Sequence, residues 1–214
     1  MLLDMGLDMG YQAIPNCQLL ARSRQEPNFG EHLQFFELYL SDSEAELERE
    51  REVDEDEEDY QLPIEFVKEA CKLIQQYPDL EHRNLHIGRV WDKFYYLLSP
   101  GRRNCEEVAE SDWVKKAIFG GSPLNETSKT VIDSHIFYLD PSEVNDIEKK
   151  LQITSIEMFS AHWNPLAMSQ ASVYKIHDRE SDEYFHYLQE EFQRFKDFYT
   201  LVSSHDEGII TCLS

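Results

Sequence analysis

The longest regular pattern in the chain is an apolar stripe that runs from Ser181 to Ser203. Its apolar residues recur at steps of three and four, the spacing that places side chains on one face of an α-helix. These residues are Tyr184, Leu188, Phe192, Phe195, Tyr199 and Val202. The pattern predicts one long helix whose aromatic side chains belong to the core, so the chain must supply other elements to cover that face.

Shorter patterns before and after this helix predict those other elements. We expect helices near His32–Leu40, from Pro63 to Pro78, over Ile87–Leu98 and Ser111–Phe119, from Asp140 to about Leu151, from Thr154 to Ala161, and as a single turn from Asn164-Pro165. We expect strands over Gly10–Ile14, His135–Leu139, Ser172–Ile176 and Gly208–Leu213. Strands separated by helices in this way predict an α+β fold: one compact domain with several helices packed on a small mixed sheet.

Three of the helices carry recognisable ends. Ser111 is a candidate N-cap, and Gly120-Gly121 marks an exit by a left-handed turn. Asp140 and Glu143 have the spacing of a capping box, in which each side chain accepts a hydrogen bond from the other residue's backbone N–H. Thr154 and Glu157 repeat that spacing.

Charge excludes several classes of function. The 214 residues contain 20 Lys and Arg against 42 Asp and Glu, a net charge of −22. Direct nucleic-acid binding and adsorption to an anionic membrane both need clustered basic residues, so neither is expected. No apolar window approaches the roughly 18 to 20 residues that span a bilayer, and the first ten residues lack a signal-peptide core. We expect a soluble, cytoplasmic protein.

Much of the negative charge is concentrated between Asp42 and Asp59. Twelve of these eighteen residues are Asp or Glu, and only Arg49 and Arg51 oppose them. Such a segment can bury little, so we expect a flexible acidic insertion. One interpretation is a solvated loop that aids solubility. The other is a docking strip for a basic protein surface, centred on Asp54, Glu55, Asp56, Glu57, Glu58 and Asp59.

Motifs of known chemistry are absent from the sequence. There is no glycine-rich phosphate loop, no Gly-x-Ser-x-Gly nucleophile elbow and no Ser-x-x-Lys. His82 and His86 are four residues apart, as in some zinc sites, but the residues between them do not complete that motif. We therefore predict no metal site, no cofactor and no catalytic residues, and favour a protein without enzymatic activity.

A few residues are not explained by a helical core alone. Trp91, Gly120-Gly121, His162-Trp163 and Tyr174 are the candidates for lining a pocket. Trp163 lies in a predicted loop, where a large ring either closes the edge of the core or lines a cavity. The glycine pair is more typical of a tight turn, although such a turn can present backbone N–H groups to an anion.

Several segments together resemble the YfbM-like family, bacterial domains of unknown function also called domain of unknown function 1877. The segments, in order, are Leu85–Leu98 with its Trp91 and Leu97-Leu98, Lys116–Gly121, Leu139–Val144, Asn164–Met168 with Val173-Tyr174, and Phe192–Tyr199. Met9-Gly10-Tyr11 resembles the usual start, which would make residues 1–8 an N-terminal extension of a single domain over 9–214. Departures are His86 and Asn164, where Asp is usual, and Lys175, where Pro is common. The resemblance implies a compact α+β domain but no activity.

Two functions follow from this sequence. The favoured one is a non-enzymatic adaptor domain that binds a basic protein partner through its acidic surface. The alternative is an enzyme or small-molecule-binding protein with a cleft near Trp91, Gly120-Gly121 and His162-Trp163. The sequence leaves the oligomeric state open.

Overall fold

A computed structural model of the chain describes residues 8–30, 32–33, 64–99, 112–125 and 135–213. The helix predicted near His32–Leu40 lies outside the described residues except for His32 and Leu33. The acidic run Asp42–Asp59 lies outside them entirely, with all six of its candidate docking residues.

A five-stranded sheet forms the centre of the molecule. Its strands are β1 (Met9–Ile14), β2 (Asn84–Gly88), β3 (Ser122–Pro123), β4 (His135–Leu139) and β5 (Gly208–Leu213). They lie in the order β2-β1-β5-β4-β3, so the chain's first and last strands are neighbours in the middle. The α+β class is confirmed. The sheet is antiparallel at each described pairing rather than mixed.

Helices account for most of the remaining described residues. They are α1 (Gln18–Gln25), α2 (Pro27–Gly30), α3 (Ile64–Gln76), α4 (Trp91–Leu98), α5 (Trp113–Phe119), α6 (Pro141–Ile153), α7 (Ile156–Ser160), α8 (Pro165–Gln170) and α9 (Asp182–Ser204). The predicted capping box of Asp140 and Glu143 is present at the start of α6. Among the described residues, no helix is both long and apolar enough to cross a membrane.

Helix α9 buries the stripe that the sequence predicted from Leu188 to Val202, while Tyr184 at its start is half-buried. Phe192 stacks on Phe159 of α7, with ring centroids 4.3 Å apart. Phe94 of α4 meets both of these rings and Phe195 edge to face. Tyr11 of β1 also packs its ring against Phe195. These contacts join α4, α7, α9 and the sheet into one core, and edge-to-face rings pack favourably there.

The C-terminal end of α5 is bonded by side chains from three distant elements. Helices leave their last four carbonyl groups without partners inside the helix. Here Tyr199 donates to the Ala117 carbonyl at 2.8 Å, and Tyr11 donates to the Ile118 carbonyl at 2.7 Å. Thr211 donates to the Phe119 carbonyl at 3.0 Å, and the backbone N–H of Gly120 donates to Lys116. We call this arrangement the α5 terminus.

The helix predicted over Ile87–Leu98 begins only at Trp91, and its first two predicted residues, Ile87 and Gly88, belong to a strand. This strand is β2, which spans Asn84–Gly88. Leu85 and Ile87 are buried while His86 between them is exposed, the alternation of a strand with one covered face. His82 and His86 therefore lie on a 3₁₀ turn and a strand rather than on one helical face. The described residues contain no cluster of potential metal ligands.

Two predicted helix starts are displaced by one residue. The N-cap of α5 is Asp112, whose carboxylate accepts from two backbone N–H groups, and Ser111 lies outside the described residues. The N-cap of α7 is Ser155, whereas Thr154 ends α6. Thr154 donates its hydroxyl hydrogen to the Lys150 carbonyl, so this side chain serves the preceding helix.

The strand predicted over Ser172–Ile176 is a pair of turns. Ser172 and Lys175 have φ angles of 60° and 51°, in the left-handed region that β-strands do not use. Val173 and Ile176 are nevertheless buried. These two apolar side chains anchor the turn in the core rather than forming one face of a strand.

Candidate functional site

Three consecutive residues at the start of α4 hold the turn at Tyr174. The ring of Trp91 stacks on the ring of Tyr174, with centroids 5.8 Å apart. Asp92 accepts a hydrogen bond from the backbone N–H of Tyr174 at 2.6 Å. Lys93 donates to the backbone carbonyl of Tyr174 and, at 3.0 Å, to that of Arg89. We call this set of contacts the Tyr174 clamp. It fixes both backbone polar groups and the side chain of one residue.

Lys93 is a buried cation within this clamp, with only 1% of its surface exposed. Burial lowers the pKa of Lys93 to about 8, because a charged ammonium is poorly solvated inside a protein. Asp92 and Glu180 oppose that shift, while the positive charges of Arg89 and Lys175 add to it. Strongly shifted pKa values are typical of functional sites, although buried structural pairs also show them.

Asp92 responds to the same surroundings. Burial raises the pKa of its carboxyl, against the hydrogen bond from Tyr174 and the charge of Lys93, which both lower it. The carboxylate and the ammonium thus stabilise each other's charged form while both bind the turn.

A cavity of about 420 Å³ opens beside the clamp. Its charged lining residues are Asp8, Arg89, Lys93, Lys175, Glu191 and Arg194. Tyr184 and Tyr187 of α9 also line it, as does His86 of β2. We call it the basic cavity. Its volume falls within the range of roughly 300 to 1,000 Å³ in which proteins bind small molecules.

The two acidic groups of the basic cavity each have a cationic partner. Arg194 and Glu191 form an ion pair at 2.7 Å, and Arg89 and Asp8 approach to 3.6 Å. Lys93 and Lys175 add two further cations, and their ammonium groups lie 5.7 Å and 5.8 Å from the ring centre of Tyr174. The lining therefore has an excess of positive charge in a chain whose overall charge is strongly negative.

The hydroxyl groups at the cavity belong to tyrosines that remain protonated at neutral pH. Burial, with smaller effects from Glu180 and Tyr187, raises the pKa of Tyr184 to about 12. Burial also raises the pKa of Tyr187. Each can therefore donate a hydrogen bond to an anionic ligand.

The glycine pair lies at a different cavity of about 540 Å³, beyond the end of α5. Gly120 has a φ angle of 89°, and a Cβ atom there would lie 2.3 Å from Thr211 Oγ1. A Cβ atom on Gly121 would lie 2.7 Å from the carbonyl oxygen of Tyr138. Both glycines are explained by close packing against the sheet. Lys116, which also lines this cavity, is bound by Glu143.

Trp163 lies against α9. Its ring stacks on Phe185 with centroids 4.6 Å apart and tilts toward Tyr184 at 6.4 Å. His162 beside it is exposed. The structure thus brings Trp91 and Tyr174 into direct contact and places Trp163 next to a tyrosine of the basic cavity. Gly120 and Gly121 line the other cavity, where Phe119 contacts Trp91 edge to face at 5.4 Å.

No local sequence pattern indicated the basic residues of the cavity. Arg89 lies 86 positions before Lys175 and 105 positions before Arg194, so the three residues form no local motif. A signal existed at Asp92 and Lys93, which interrupt the densest apolar segment of the chain. Adjacent charges within an apolar helical pattern indicate buried polar contacts, because unpaired buried charges are strongly destabilising.

Comparisons with known proteins agree with this fold. A family model described as a domain of unknown function, DUF1877, matches residues 5–212. A solved structure titled as a protein of unknown function, YfbM from Escherichia coli, superposes with a TM-score of 0.57 at 10% sequence identity. The match covers 97% of this chain and 99% of that one, and at this identity it shows the fold alone. No curated protein matches the chain. The chain belongs to the DUF1877 family.

Proposed function

We propose that this member of the DUF1877 family binds a small anionic molecule in the basic cavity. The observation that carries the proposal is the lining, where four cationic side chains oppose two carboxylates in a protein of net charge −22. A local reversal of sign in an acidic protein concentrates anions at one place and repels them elsewhere.

The Tyr174 clamp supports this function by positioning two of the cations. Lys175 follows the clamped residue directly, and Lys93 is itself part of the clamp. Ligand-binding groups held by hydrogen bonds lose less conformational entropy when the ligand binds. The clamp thus prepares the cavity for binding before the ligand arrives.

The test is the effect of anions on thermal unfolding, since a ligand that binds only the folded state raises its melting temperature. Citrate, phosphate and benzoate are added at constant ionic strength to the full chain. We expect at least one of them to raise the melting temperature of the wild type, and Arg194→Gln to reduce that rise.

Lys149→Gln is the matched control, because Lys149 is an exposed lysine of α6 paired with Asp146. This variant should respond like the wild type. A rise of equal size in wild type, R194Q and K149Q would indicate a general salt effect and contradict the proposal.

A second candidate function uses the acidic run Asp42–Asp59. Its support is the sequence, with twelve carboxylates in eighteen residues, including the six from Asp54 to Asp59. In this proposal the domain acts in the cytoplasm as an adaptor for a protein with a basic surface. Electrostatic association of this kind weakens as salt screens the charges.

The adaptor proposal is tested by capture of partners from the native host at low and roughly physiological salt. Replacing the acidic residues of 42–59 by Ser and Gln should abolish capture of a specific partner. If a partner is still captured after this replacement, the adaptor proposal is wrong. That result would not bear on the proposal of anion binding.

A further inference from the structure

We infer that the ligand of the basic cavity is a small aromatic carboxylate, with its ring against Tyr184 and Tyr187 and its carboxylate on Arg194. This inference rests on the proposed anion binding and names the class of anion. The net charge of the lining does not select that class, because neighbouring carboxylates oppose the charge of Lys93. The support comes from the arrangement of side chains on one face of α9.

Four of the residues that line the basic cavity belong to that face. They are Tyr184, Tyr187, Glu191 and Arg194, and steps of three and four residues place them along one side of a helix. The two aromatic residues come first along the helix, and the two charged residues follow. A ligand that lies along this face therefore meets aromatic surface at one end and a guanidinium at the other.

The two tyrosine rings form the aromatic end. Their centroids are 6.0 Å apart, and their planes are inclined by 35°. Tyr187 is 44% exposed, and the ring of Tyr184 is its one aromatic contact among the residues that the structure describes. An aromatic ligand gains more from such a surface than an aliphatic ring of the same size, because aromatic pairs attract each other beyond the effect of buried area.

Arg194 has donors left for a ligand. Its Nη1 donates to Glu191 at 2.7 Å, whereas its Nε and Nη2 donate to no residue that the structure describes. Neighbouring N–H groups of a guanidinium form a planar fork that matches the two oxygens of a carboxylate. Side chains on a helix lean toward its N-terminus, so this fork lies on the side of Tyr187. The charge of Arg194 accordingly opposes the rise that burial causes in the pKa of Tyr187.

Glu191 favours a ligand with a single negative charge. Its carboxylate is 7% exposed and is bonded to the same guanidinium, so it lies close to the anionic group of the ligand. One guanidinium can serve both carboxylates, because it has five N–H donors. A phosphate dianion at this place would be repelled more strongly by Glu191. The geometry of this face therefore favours a carboxylate over a phosphate.

Isothermal titration calorimetry with four related probes tests the inference on the full chain. Benzoate has both groups, cyclohexanecarboxylate keeps the charge without the aromatic ring, benzamide keeps the ring without the charge, and phenylphosphonate replaces the planar anion by a tetrahedral one. We expect benzoate to bind about threefold more tightly than cyclohexanecarboxylate and phenylphosphonate, and about tenfold more tightly than benzamide.

Variants of two exposed side chains locate the bound probe. Tyr187→Phe keeps the ring and should retain the preference for benzoate over cyclohexanecarboxylate, whereas Tyr187→Leu should reduce it. Arg194→Lys keeps the charge without the fork and should weaken benzoate binding by about tenfold. Lys149→Gln should leave benzoate binding unchanged. The melting temperature of each variant without ligand shows whether its fold is intact.

The outcomes separate the two proposals. If citrate or phosphate stabilises the protein while benzoate neither stabilises it nor binds, anion binding stands and the aromatic carboxylate is wrong. Equal affinity for benzoate and cyclohexanecarboxylate would contradict the aromatic ring, and tighter binding of phenylphosphonate would contradict the carboxylate. Full affinity for benzoate in R194K would overturn the role of the fork. If no anion binds or stabilises the protein, both proposals fall.

An acetylated tetrapeptide that ends in phenylalanine presents the same two groups at the end of a protein chain. Binding of this peptide no tighter than that of benzoate assigns the cavity to small aromatic carboxylates. Binding about tenfold tighter would show that the cavity recognises a chain terminus and would overturn the small-molecule inference.

Discussion

The α5 terminus and the Tyr174 turn both require left-handed backbone, but they meet the requirement differently. At the α5 terminus the residue is Gly120, with a φ angle of 89° and no room for a side chain. At the Tyr174 turn the residues are Ser172 and Lys175, with φ angles of 60° and 51°. Non-glycine residues are uncommon in this region, because the Cβ atom crowds the backbone there.

The choice of residue separates a turn that only has to fit the fold from a turn whose side chain has a function. Glycine avoids strain where the chain only has to pass close to its neighbours, as Gly120 does against Phe137 and Thr211. A lysine kept in a strained conformation must be held by other contacts, and the clamp supplies them through Asp92 and Lys93. Stored strain of this kind is common at functional sites. Of the two turns, the Tyr174 turn is therefore the one expected to serve a function.

The largest expected effect is that of Gly120→Ala. Its Cβ atom would lie 2.3 Å from Thr211 Oγ1 and 2.5 Å from Phe137 Cβ, at a φ angle unfavourable for alanine. We expect a loss of about 3–5 kcal/mol in the free energy of unfolding, measured by urea denaturation. Gly88→Ala has the same backbone penalty, but its nearest atom is 3.6 Å away, so about 1–2 kcal/mol should be lost. Equal losses would contradict the packing argument.

Lys93→Met should have the next largest effect. Methionine fills similar space but leaves the carbonyls of Tyr174 and Arg89 without their donor, so we expect a loss of about 1–3 kcal/mol at pH 7. Urea denaturation of both proteins measures it. A loss below about 0.5 kcal/mol would mean that the clamp contributes little to holding the turn.

The difference in unfolding free energy between the wild type and Lys93→Met should depend on pH, and its sign follows from the pKa of Lys93. The pKa of Lys93 is about 8 in the folded protein and ordinarily 10.5, so the unfolded chain binds more protons between these values. Stability from this group therefore rises with pH above about 8. The unfolding free energy of the wild type, minus that of Lys93→Met, should increase from pH 8 to pH 10. A flat or falling difference would show that Lys93 is not desolvated.

Tyr199→Phe tests the α5 terminus with a smaller change. The variant keeps the ring but leaves the Ala117 carbonyl without its donor in the core, where about 1–2 kcal/mol should be lost. Tyr187→Phe makes the same chemical change on a side chain that is 44% exposed and should lose under about 0.5 kcal/mol. Thermal or urea unfolding of both variants decides whether the buried hydrogen bond stabilises the fold.

The smallest expected effect is a gain. Lys175→Gly relieves the left-handed strain and should stabilise the fold by about 0.5–1 kcal/mol, after the greater flexibility of glycine in the unfolded chain is allowed for. Lys175→Ala keeps the strain and should give no such gain. A glycine variant that is no more stable than the alanine variant would remove the contrast with Gly120.

Local patterns predicted the elements that local interactions determine. The stripe of α9 and the capping box of Asp140 and Glu143 depend on residues within a few positions of one another. Strand β2 was missed because its alternation covers five residues and runs directly into the apolar face of α4. The segment around Val173 and Tyr174 has the composition of a strand, but contacts from Asp92 and Lys93, about eighty positions earlier, impose a turn.

The site was predictable only in part for the same reason. Trp91 and Tyr174 were candidates because a helical core alone did not explain them. Arg89, Lys175 and Arg194 each look like ordinary surface cations, and only the fold brings them to one cavity. The local indication was the position of Asp92 and Lys93 within an apolar segment.

The α5 terminus also constrains the order of folding. Helix α5 has seven residues, fewer than an isolated helix needs to be stable in water. Its last carbonyls accept from Tyr11, Tyr199 and Thr211, which are separated from their acceptors by 107, 82 and 92 positions. Contacts over such separations form slowly, because long loops must close first. Helix α5 should therefore form only once β1, β5 and α9 have assembled. Its amide hydrogens should then exchange with solvent only when the whole domain opens.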